Sequence, residues 1–253
     1  MNRLLDFVMS FYKIIKIILK YKISHYGLIY RLVSLYWFFR KIHFSDEFEL
    51  LDIGFNDGIF REFFNNKFPN CNYSGVEIDN KYLDIYNNTF YHDFENSKLD
   101  KSYDLLFCSH VLEHIKNDKD FIKNITNSFK DYKSKLIIRV PMPSDMDSFL
   151  RKVNHRLKDH HEHERDGYTL DEMKALLRSC DLKIESYYFS MGPLGIFVHN
   201  IFEILRDYEV RFQRLLTLPY IVITFLDLFF INNNSRCNDL TVFIIKDVNV
   251  KPN

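Results

Sequence analysis

The sequence lacks any closely spaced pair of cysteines. Its four cysteines, Cys71, Cys108, Cys180 and Cys237, form no Cys-x-x-Cys pair and show no spacing typical of a zinc site. This pattern indicates neither a disulfide framework nor a cysteine-based metal centre. We therefore expect a protein of the reducing cytosol without a cysteine-bound metal ion.

The sequence also lacks the features of a secretory signal peptide and of a membrane-spanning helix. Three lysines interrupt the apolar residues near the N-terminus, and no small-residue cleavage site follows them. A later apolar stretch, residues 215–231, is shorter than the ~20 residues that a spanning helix needs, and it contains Pro219 and Asp227. We expect this stretch to form helices that lie on the domain or on a bilayer surface.

The chain is neutral overall, but its charges are unevenly distributed. Residues 1–41 contain eight Lys and Arg and one acidic residue, Asp6, which leaves 26 basic and 33 acidic residues in the remainder. A basic arm is attracted to anionic surfaces, and the apolar content of this arm favours a membrane over a nucleic acid. No block of interleaved arginines and aromatic rings is present, so we expect no nucleic-acid partner.

The domain organisation follows from chain length and from the apolar patterns at the two ends. Residues 4–20 fit an amphipathic helix, because their three lysines fall at i, i+3 and i+7 and the opposite side is apolar. A chain of 253 residues holds one sizeable core with additions. We predict an N-terminal amphipathic helical segment, residues 1–44, and a domain of residues 45–253 with a helical insertion at 194–231.

Short apolar runs alternate with helical patterns from residue 48 onwards. The predicted strands are 48–53, 73–78, 103–109, 135–140, 182–189 and 240–245, and the predicted helices are 57–66, 80–86, 118–129 and 169–179, the last opened by a capping box at 169–172. Alternation at this spacing predicts βαβ units and a mostly parallel α/β sheet.

The first predicted strand ends in an acidic residue and a turn with two glycines. Asp52 precedes Gly54, and Asn56 and Gly58 follow before the predicted helix. Glycine lets a ligand approach the backbone, and the N-terminus of a helix offers it free N–H groups. Taken alone, the segment fits a purely structural glycine turn equally well.

Two further acidic residues follow later segments at regular intervals. Glu77 ends the second strand, at roughly the ~20-residue interval where a carboxylate can accept both hydroxyls of a ribose. Asp93 stands beside Phe94, where the carboxylate could accept an adenine amino hydrogen and the ring could stack on the base. Solvated acids at strand ends would explain any one of these residues, but they explain the ordered set poorly.

The order and spacing of these segments resemble those of class I S-adenosylmethionine-dependent methyltransferases, over about residues 48–190 and the final strand. Segments 52–58, 75–79 and 103–114 are similar to the glycine motif, the ribose-binding strand end and the fourth-strand motif of that family. The resemblance implies a seven-strand, mostly parallel Rossmann-like sheet with helices on both faces. It also implies S-adenosyl-L-methionine as cofactor and S-adenosyl-L-homocysteine as product. The implied cofactor-binding residues are Asp52, Gly54, Phe55, Asn56, Gly58, Glu77, Ile78, Asp93, Phe94 and Ser109.

One residue departs from the family pattern, and two other functions fit less well. Asn56 stands where many members carry glycine, which is tolerable because asparagine enters positive φ readily. A nicotinamide-dependent Rossmann enzyme is disfavoured because Arg61 replaces the third glycine of its motif. A membrane-peripheral protein with a degenerate, inactive cofactor pocket is disfavoured because the acids and glycines of the motifs are intact.

Four candidate site residues follow the fourth predicted strand. Ser109, His110, Glu113 and His114 belong at the edge where such sheets bind ligands. Methyl transfer needs the partners to be oriented and, for a hydroxyl acceptor, a proton to be removed, so His110 is the first candidate base. A capping or solvated histidine is the alternative. Glu113 and His114 are adjacent on a helical turn, so at most one of them points directly at the substrate.

Residues 155–169 contain four histidines in one short segment. A metal site is a minor alternative here, because ligands packed in one loop rarely converge on an ion. Residues 163–169 are similar to a stretch that many small-molecule methyltransferases place over the pocket. This similarity makes His163 a second candidate base and gives Arg165 or Tyr168 the role of holding a substrate oxygen or anion.

The acceptor and the location of the protein are predicted by analogy. The additions to the domain resemble those of bacterial surface-glycan and quinone methyltransferases. This resemblance favours O-methylation of a sugar or of a lipid-linked small molecule. A quinone or polyprenyl-type acceptor is the second possibility, and an amine is a further alternative. We also expect residues 1–41 and 194–231 to dock the domain on the inner, anionic face of a membrane. Packing on the sheet or a homodimer interface is the alternative for the same apolar residues.

Overall fold

A computed structural model describes residues 2–21, 23, 25–39, 42, 44, 47–143, 164–207, 217–231 and 237–247. The described helices are α1 (Asn2–Lys20), α2 (Tyr26–Phe38), α3 (Ile59–Lys67), α4 (Asp118–Thr126), α5 (Leu170–Arg178), α6 (Pro193–Asp207) and α7 (Thr217–Phe230). The described strands are β1 (Phe48–Ile53), β2 (Cys71–Glu77), β3 (Thr89–Tyr91), β4 (Leu105–Ser109), β5 (Lys135–Pro141), β6 (Leu182–Ser190) and β7 (Asp239–Lys246). Two short 3-10 helices, Asn80–Ile85 and Leu112–His114, follow β2 and β4.

The seven strands form one sheet in the order β3-β2-β1-β4-β5-β7-β6. The pairs from β3 to β5 are parallel, and β7 is antiparallel to β5. The predicted seven-strand, mostly parallel sheet is therefore confirmed. The central strands β1 and β4 consist mostly of buried apolar residues, as expected for strands covered on both faces.

The largest difference from the predicted elements is β3. This strand has three residues, Thr89–Tyr91, which are half-buried or exposed. So short a segment shows no alternation, and the sequence pattern therefore did not reveal it. The capping box predicted for α5 is present, because Thr169 Oγ1 accepts the Glu172 N–H at 3.2 Å and Glu172 Oε2 accepts the Thr169 N–H at 2.8 Å.

The chain divides into two compact units. Unit 1 comprises Met1–Ile42, Ser144–His161 and Phe189–Asn238, and unit 2 comprises His43–Pro143, Glu162–Tyr188 and Asp239–Asn253. The N-terminal helices and the insertion before the last strand thus belong to the same unit. Unit 2 contains the glycine turn and the parallel strands.

Helix α1 is amphipathic, as the lysine spacing predicts. Ile14, Ile17 and Ile18 are at most 2% exposed, whereas Lys16 and Lys20 are exposed. These three isoleucines are therefore buried within the protein and are not presented to a membrane.

A buried polar cluster explains the single charge of α7. Asp227 accepts hydrogen bonds from the Tyr30 hydroxyl and from the Gly192 N–H, the latter at 2.8 Å. These donors satisfy a carboxylate that would otherwise be costly to bury.

No helix in the described part of the chain is both long and apolar enough to cross a membrane.

Candidate active site

Residues from several strands meet at one edge of the sheet in unit 2. The parallel strands β1, β2, β4 and β5 all end at this edge, and their register places Asp52 beside Gly75 and Phe107. The antiparallel β7 begins at the same edge, with Asp239 opposite Pro141. Ligands of open α/β sheets bind beyond the carboxyl ends of the strands.

The turn after β1 is shaped by three residues in the left-handed region. Gly54, Asn56 and Gly58 have φ values of 72°, 50° and 74°. A Cβ at Gly54 would lie 2.3 Å from Val111 Cγ2, so only glycine fits there. Phe55, which the resemblance assigns to the cofactor site, buries its ring in the core and leaves only its backbone at the turn.

Glu77 is held across this turn by two backbone donors. Its Oε2 accepts the N–H of Asn56 at 3.2 Å, and its Oε1 accepts the N–H of Ile78 at 2.9 Å. The carboxylate is half-buried, and the Ile78 side chain beside it is exposed. The structure thus joins the glycine turn and the end of β2, which are 21 residues apart in sequence.

Asp52 is the most deeply buried acid of the turn. It is 1% exposed, and the Tyr73 hydroxyl donates to its Oδ2 at 2.6 Å. Burial is the main reason that the pKa of Asp52 is raised to about 7; the charges of Glu77 and Asp57 act in the same direction, and the hydrogen bond from Tyr73 acts against them. Asp52 therefore keeps its proton to a higher pH than an exposed aspartate does.

The segment after β3 is organised by Asp93. Its Oδ1 accepts the N–H of Glu95 at 2.8 Å, and its Oδ2 accepts the side-chain amide of Asn96 at 2.6 Å. Phe94 is 2% exposed and packs edge-on against His92 and Phe121. The ring of Phe94 is thus a core ring, which does not support its predicted role of stacking on a base.

His110 lies between two carboxylates at the end of β4. Its Nδ1 is 3.3 Å from Glu113 Oε1, and its Nε2 is 3.6 Å from Asp239 Oδ1. The residue has a φ of 57°, in the left-handed region, and its N–H donates to the Arg139 carbonyl at 2.8 Å. His110 is therefore held in place by both its backbone and its ring.

The neighbours of His110 differ in burial. Glu113 is 1% exposed, and His114 is exposed, so only Glu113 shares the surroundings of His110. Burial acts to raise the pKa of Glu113, but the hydrogen bond and charge of His110 outweigh it, so this pKa is lowered. Ser109 Oγ and Glu113 Oε2 are buried and find no hydrogen-bond partner among the described residues. Such atoms are suited to bind a ligand.

Two residues of this cluster were missed by sequence reasoning. Arg139 is fully buried in β5, and its Nη2 donates to Asp239 Oδ2 at 2.7 Å. An arginine within the apolar run 136–140 was the available signal, because a buried charge needs a partner. Asp239 could be placed only once β7 was known to run antiparallel to β5.

Arg165 and Tyr168 both contact Asp118. Arg165 Nη1 donates to Asp118 Oδ2 at 2.6 Å, and its Nη2 donates to the Ile115 carbonyl at 3.1 Å. The Tyr168 hydroxyl donates to the same Asp118 oxygen at 3.0 Å. These contacts fasten residues 165–168 to the start of α4. This geometry does not support the predicted substrate-binding roles, because Asp118 already engages the guanidinium and the hydroxyl.

The remaining predictions for this region fall on residues that the structure does not describe. His163, and the histidines at 155, 160 and 161, lie outside the described residues. Within the described ranges, no group of three or more His, Cys, Asp or Glu side chains is arranged to hold a metal ion.

Comparison with known proteins identifies the family of the chain. The profile of a family described as "Methyltransferase domain" matches residues 26–187. A search of curated proteins finds no match.

Several solved structures share the fold. A SAM-dependent methyltransferase from Archaeoglobus fulgidus is 15% identical with a TM-score of 0.55, over 87% of this chain and 94% of that one. Coclaurine N-methyltransferase bound to N-methylheliamine and SAH is 14% identical with a TM-score of 0.55, over 85% and 72%. A phosphoethanolamine N-methyltransferase from Haemonchus contortus is 17% identical with a TM-score of 0.53, over 84% and 51%. The family match covers more than half of the chain, and the chain therefore belongs to the methyltransferase-domain family as a class I S-adenosylmethionine-dependent methyltransferase.

Proposed function

We propose that the protein methylates a hydroxyl group of a sugar or of a lipid-linked small molecule in the cytoplasm. The observation that carries this proposal is the position of His110 between the carboxylates of Glu113 and Asp239. An attacking hydroxyl must lose its proton, and a histidine can accept it. Two flanking carboxylates favour the imidazolium that forms. A sugar is the first substrate class by family resemblance, and a quinone or polyprenyl-type compound is the second.

The proposed cofactor site is the turn after β1 and the strand ends beside it. The cofactor would lie against the backbone of residues 54–58, Glu77 would hold the ribose hydroxyls, and Asp93 would contact the adenine amino group. The unsatisfied Ser109 Oγ supports a ligand at this edge. The bound cofactor supplies an electrophilic methyl group on sulfonium.

The proposed role of the remaining residues is to prepare His110. Arg139 pairs with Asp239, and Glu113 Oε1 lies 3.3 Å from Nδ1 of His110 and would orient the ring. Nε2, which is 3.6 Å from Asp239, would then be the nitrogen that accepts the proton of the acceptor. His163 remains a proposed second base, and the exposed His114 has no assigned role.

An amine acceptor is the second candidate. The lowered pKa of Glu113 keeps this carboxylate ionised at neutral pH, and an ionised Glu113 beside Asp239 would attract an ammonium group. Two of the similar solved structures are N-methyltransferases by name. In this case the acidic pair would bind the acceptor, and His110 would not be needed as a base.

The acceptor class is tested with methyl-labelled S-adenosylmethionine and a panel of acceptors. The panel contains nucleotide sugars, a polyprenyl-linked sugar, a short-chain quinol and small primary and secondary amines. We expect label in a methyl ether of a sugar, identified by mass spectrometry and NMR. Label found only in N-methyl products would overturn the proposal. Calorimetry with S-adenosylhomocysteine, run in parallel, establishes that the preparation binds the cofactor product.

A further inference from the structure

The exposed surfaces of α6 and α7 are apolar wherever their side chains are described. The exposed residues of these helices are Pro193, Leu194, Phe197, Ile201, Leu218, Pro219, Val222, Leu226, Phe229 and Phe230. Phe229 and Phe230 are 71% and 72% exposed. In α7 the exposed residues recur at i, i+4, i+8 and i+11, so they form one continuous side of the helix. The only charged residue of α7, Asp227, is buried on the other side.

A helix of unit 2 shows the ordinary pattern. In α4 the residues Phe121, Ile122 and Ile125 are buried, and the exposed side carries Lys119 and Lys123. A surface helix in water normally places charged and polar residues opposite its buried stripe. An exposed apolar side of several residues marks a surface that contacts another apolar phase.

The unit that carries α6 and α7 is strongly basic. Unit 1 contains 16 Lys and Arg and 8 Asp and Glu, a formal net charge of +8. Unit 2 contains 18 Lys and Arg and 26 Asp and Glu, a formal net charge of −8. The apolar surface therefore occurs on the unit that an anionic partner attracts.

The net charge of unit 1 distinguishes between two apolar partners that could cover α6 and α7, namely a second copy of the chain and an anionic bilayer. A symmetric dimer through these helices would bring two units of +8 together, and their repulsion opposes association. An anionic bilayer offers an apolar interior below a negative surface, which matches both properties of unit 1. The exposed Lys16 and Lys20 of α1 add to the attraction.

We propose that unit 1 is a membrane-docking module in which α6 and α7 insert their exposed apolar sides into the interface of an anionic bilayer. Phe229 and Phe230 are the main inserting residues, and α1 contributes charge because its Ile14, Ile17 and Ile18 are buried. This docking goes beyond the methyl-transfer proposal and holds whatever the acceptor is. The test of this docking measures vesicle binding, so its outcome does not depend on the acceptor assay.

The test is flotation of the full chain with vesicles of phosphatidylcholine alone and of phosphatidylcholine mixed with phosphatidylglycerol. We expect the chain to float with the anionic vesicles and to remain below with the neutral ones, and we expect high salt to release it. The double variant Phe229→Ser/Phe230→Ser should reduce binding to anionic vesicles about tenfold or more, because each phenylalanine loses apolar burial. Lys16→Gln/Lys20→Gln should also reduce this binding, each charge adding affinity.

Tyr132→Ser is the matched control, because Tyr132 is 64% exposed in unit 2 and lies outside the proposed surface. It should bind vesicles as the parent does. The phenylalanine variant should keep the circular dichroism spectrum and melting temperature of the parent, since both rings are mostly solvated. The proposal is overturned if the chain floats with neither vesicle or if the phenylalanine variant floats like the parent. It is equally overturned if light scattering finds a stable dimer that the variant converts to monomer.

Discussion

Arg139 Nη2 lies 2.7 Å from Asp239 Oδ2, and both side chains are buried. The other oxygen of Asp239 lies 3.6 Å from His110 Nε2. One carboxylate thus connects a buried cation with the candidate base. Because Asp239 joins the two, a change at this residue affects both stability and activity.

Asp239→Asn tests the stability part of this relationship. The variant keeps the side-chain shape but removes the carboxylate charge next to the buried Arg139, which should lower the free energy of unfolding by about 3–5 kcal/mol. Urea denaturation measures the loss. The control is Asp171→Asn, whose exposed pair with Lys174 should contribute about 1 kcal/mol or less. Equal, small losses in the two variants would mean that the buried pair stabilises no more than a surface pair.

His110→Asn tests the proposed base. Asparagine tolerates the left-handed φ of 57° at this position better than alanine does, so the backbone should be kept. We expect turnover to fall by a factor of about 10²–10⁴, with the affinity for S-adenosylhomocysteine unchanged. His114→Ala, an exposed neighbour, should retain the parent rate. If His110→Asn and His163→Ala both keep full rates, the reaction needs no histidine, as an amine acceptor would allow.

Glu77→Ala tests the cofactor site. It removes a carboxylate that two backbone N–H groups orient, and it should weaken binding of S-adenosylhomocysteine by roughly 1.5–3 kcal/mol, the scale of hydrogen bonds to a charged group. Calorimetry measures this change. Asp79→Ala is the control, because Asp79 pairs with Lys81 and caps the following 3-10 helix. Unchanged affinity in Glu77→Ala would remove this residue from the proposed ribose site.

The sequence predicts well those features that depend on local pattern. The alternation of strands and helices predicts the sheet, and the lysine spacing predicts α1. The positive φ of Asn56 follows from its place between Gly54 and Gly58. In each case neighbouring residues carry the signal, because periodicity and turn chemistry act over a few positions.

Features that depend on distant residues could not be predicted in this way. The pairing of Arg139 with Asp239 joins positions 100 residues apart. Likewise, Arg165 was predicted to bind substrate, and no sequence pattern indicated that its Nη1 donates to Asp118, which is 47 residues away. The pattern of α1 shows an apolar side but not which surface covers it. These contacts depend on tertiary packing, and no short stretch of the sequence carries a signal for them.

Asp52→Asn tests the electrostatics of the buried turn. Burial raises the pKa of Asp52 to about 7 in the folded protein, whereas an aspartate in the unfolded chain has a pKa of about 3.9. Between these values the folded state holds a proton that the unfolded state has released. This group should therefore lower the free energy of unfolding by about 1.4 kcal/mol for each unit of rising pH in that window. Below pH ~4 both states are protonated, and Asp52 then no longer changes the free energy of unfolding with pH.

The measurement is urea denaturation of the parent and of Asp52→Asn at several pH values in that window. The comparison is the difference between the two curves, because carboxylates with a lowered pKa such as Glu113 give the parent an opposite slope. We expect the variant to gain stability relative to the parent as the pH rises, since asparagine stays neutral. Tyr73→Phe removes the hydrogen bond that lowers the pKa of Asp52, and it should extend the effect to higher pH. Parallel curves for the parent and Asp52→Asn would show that the buried carboxyl titrates as it does in the unfolded chain.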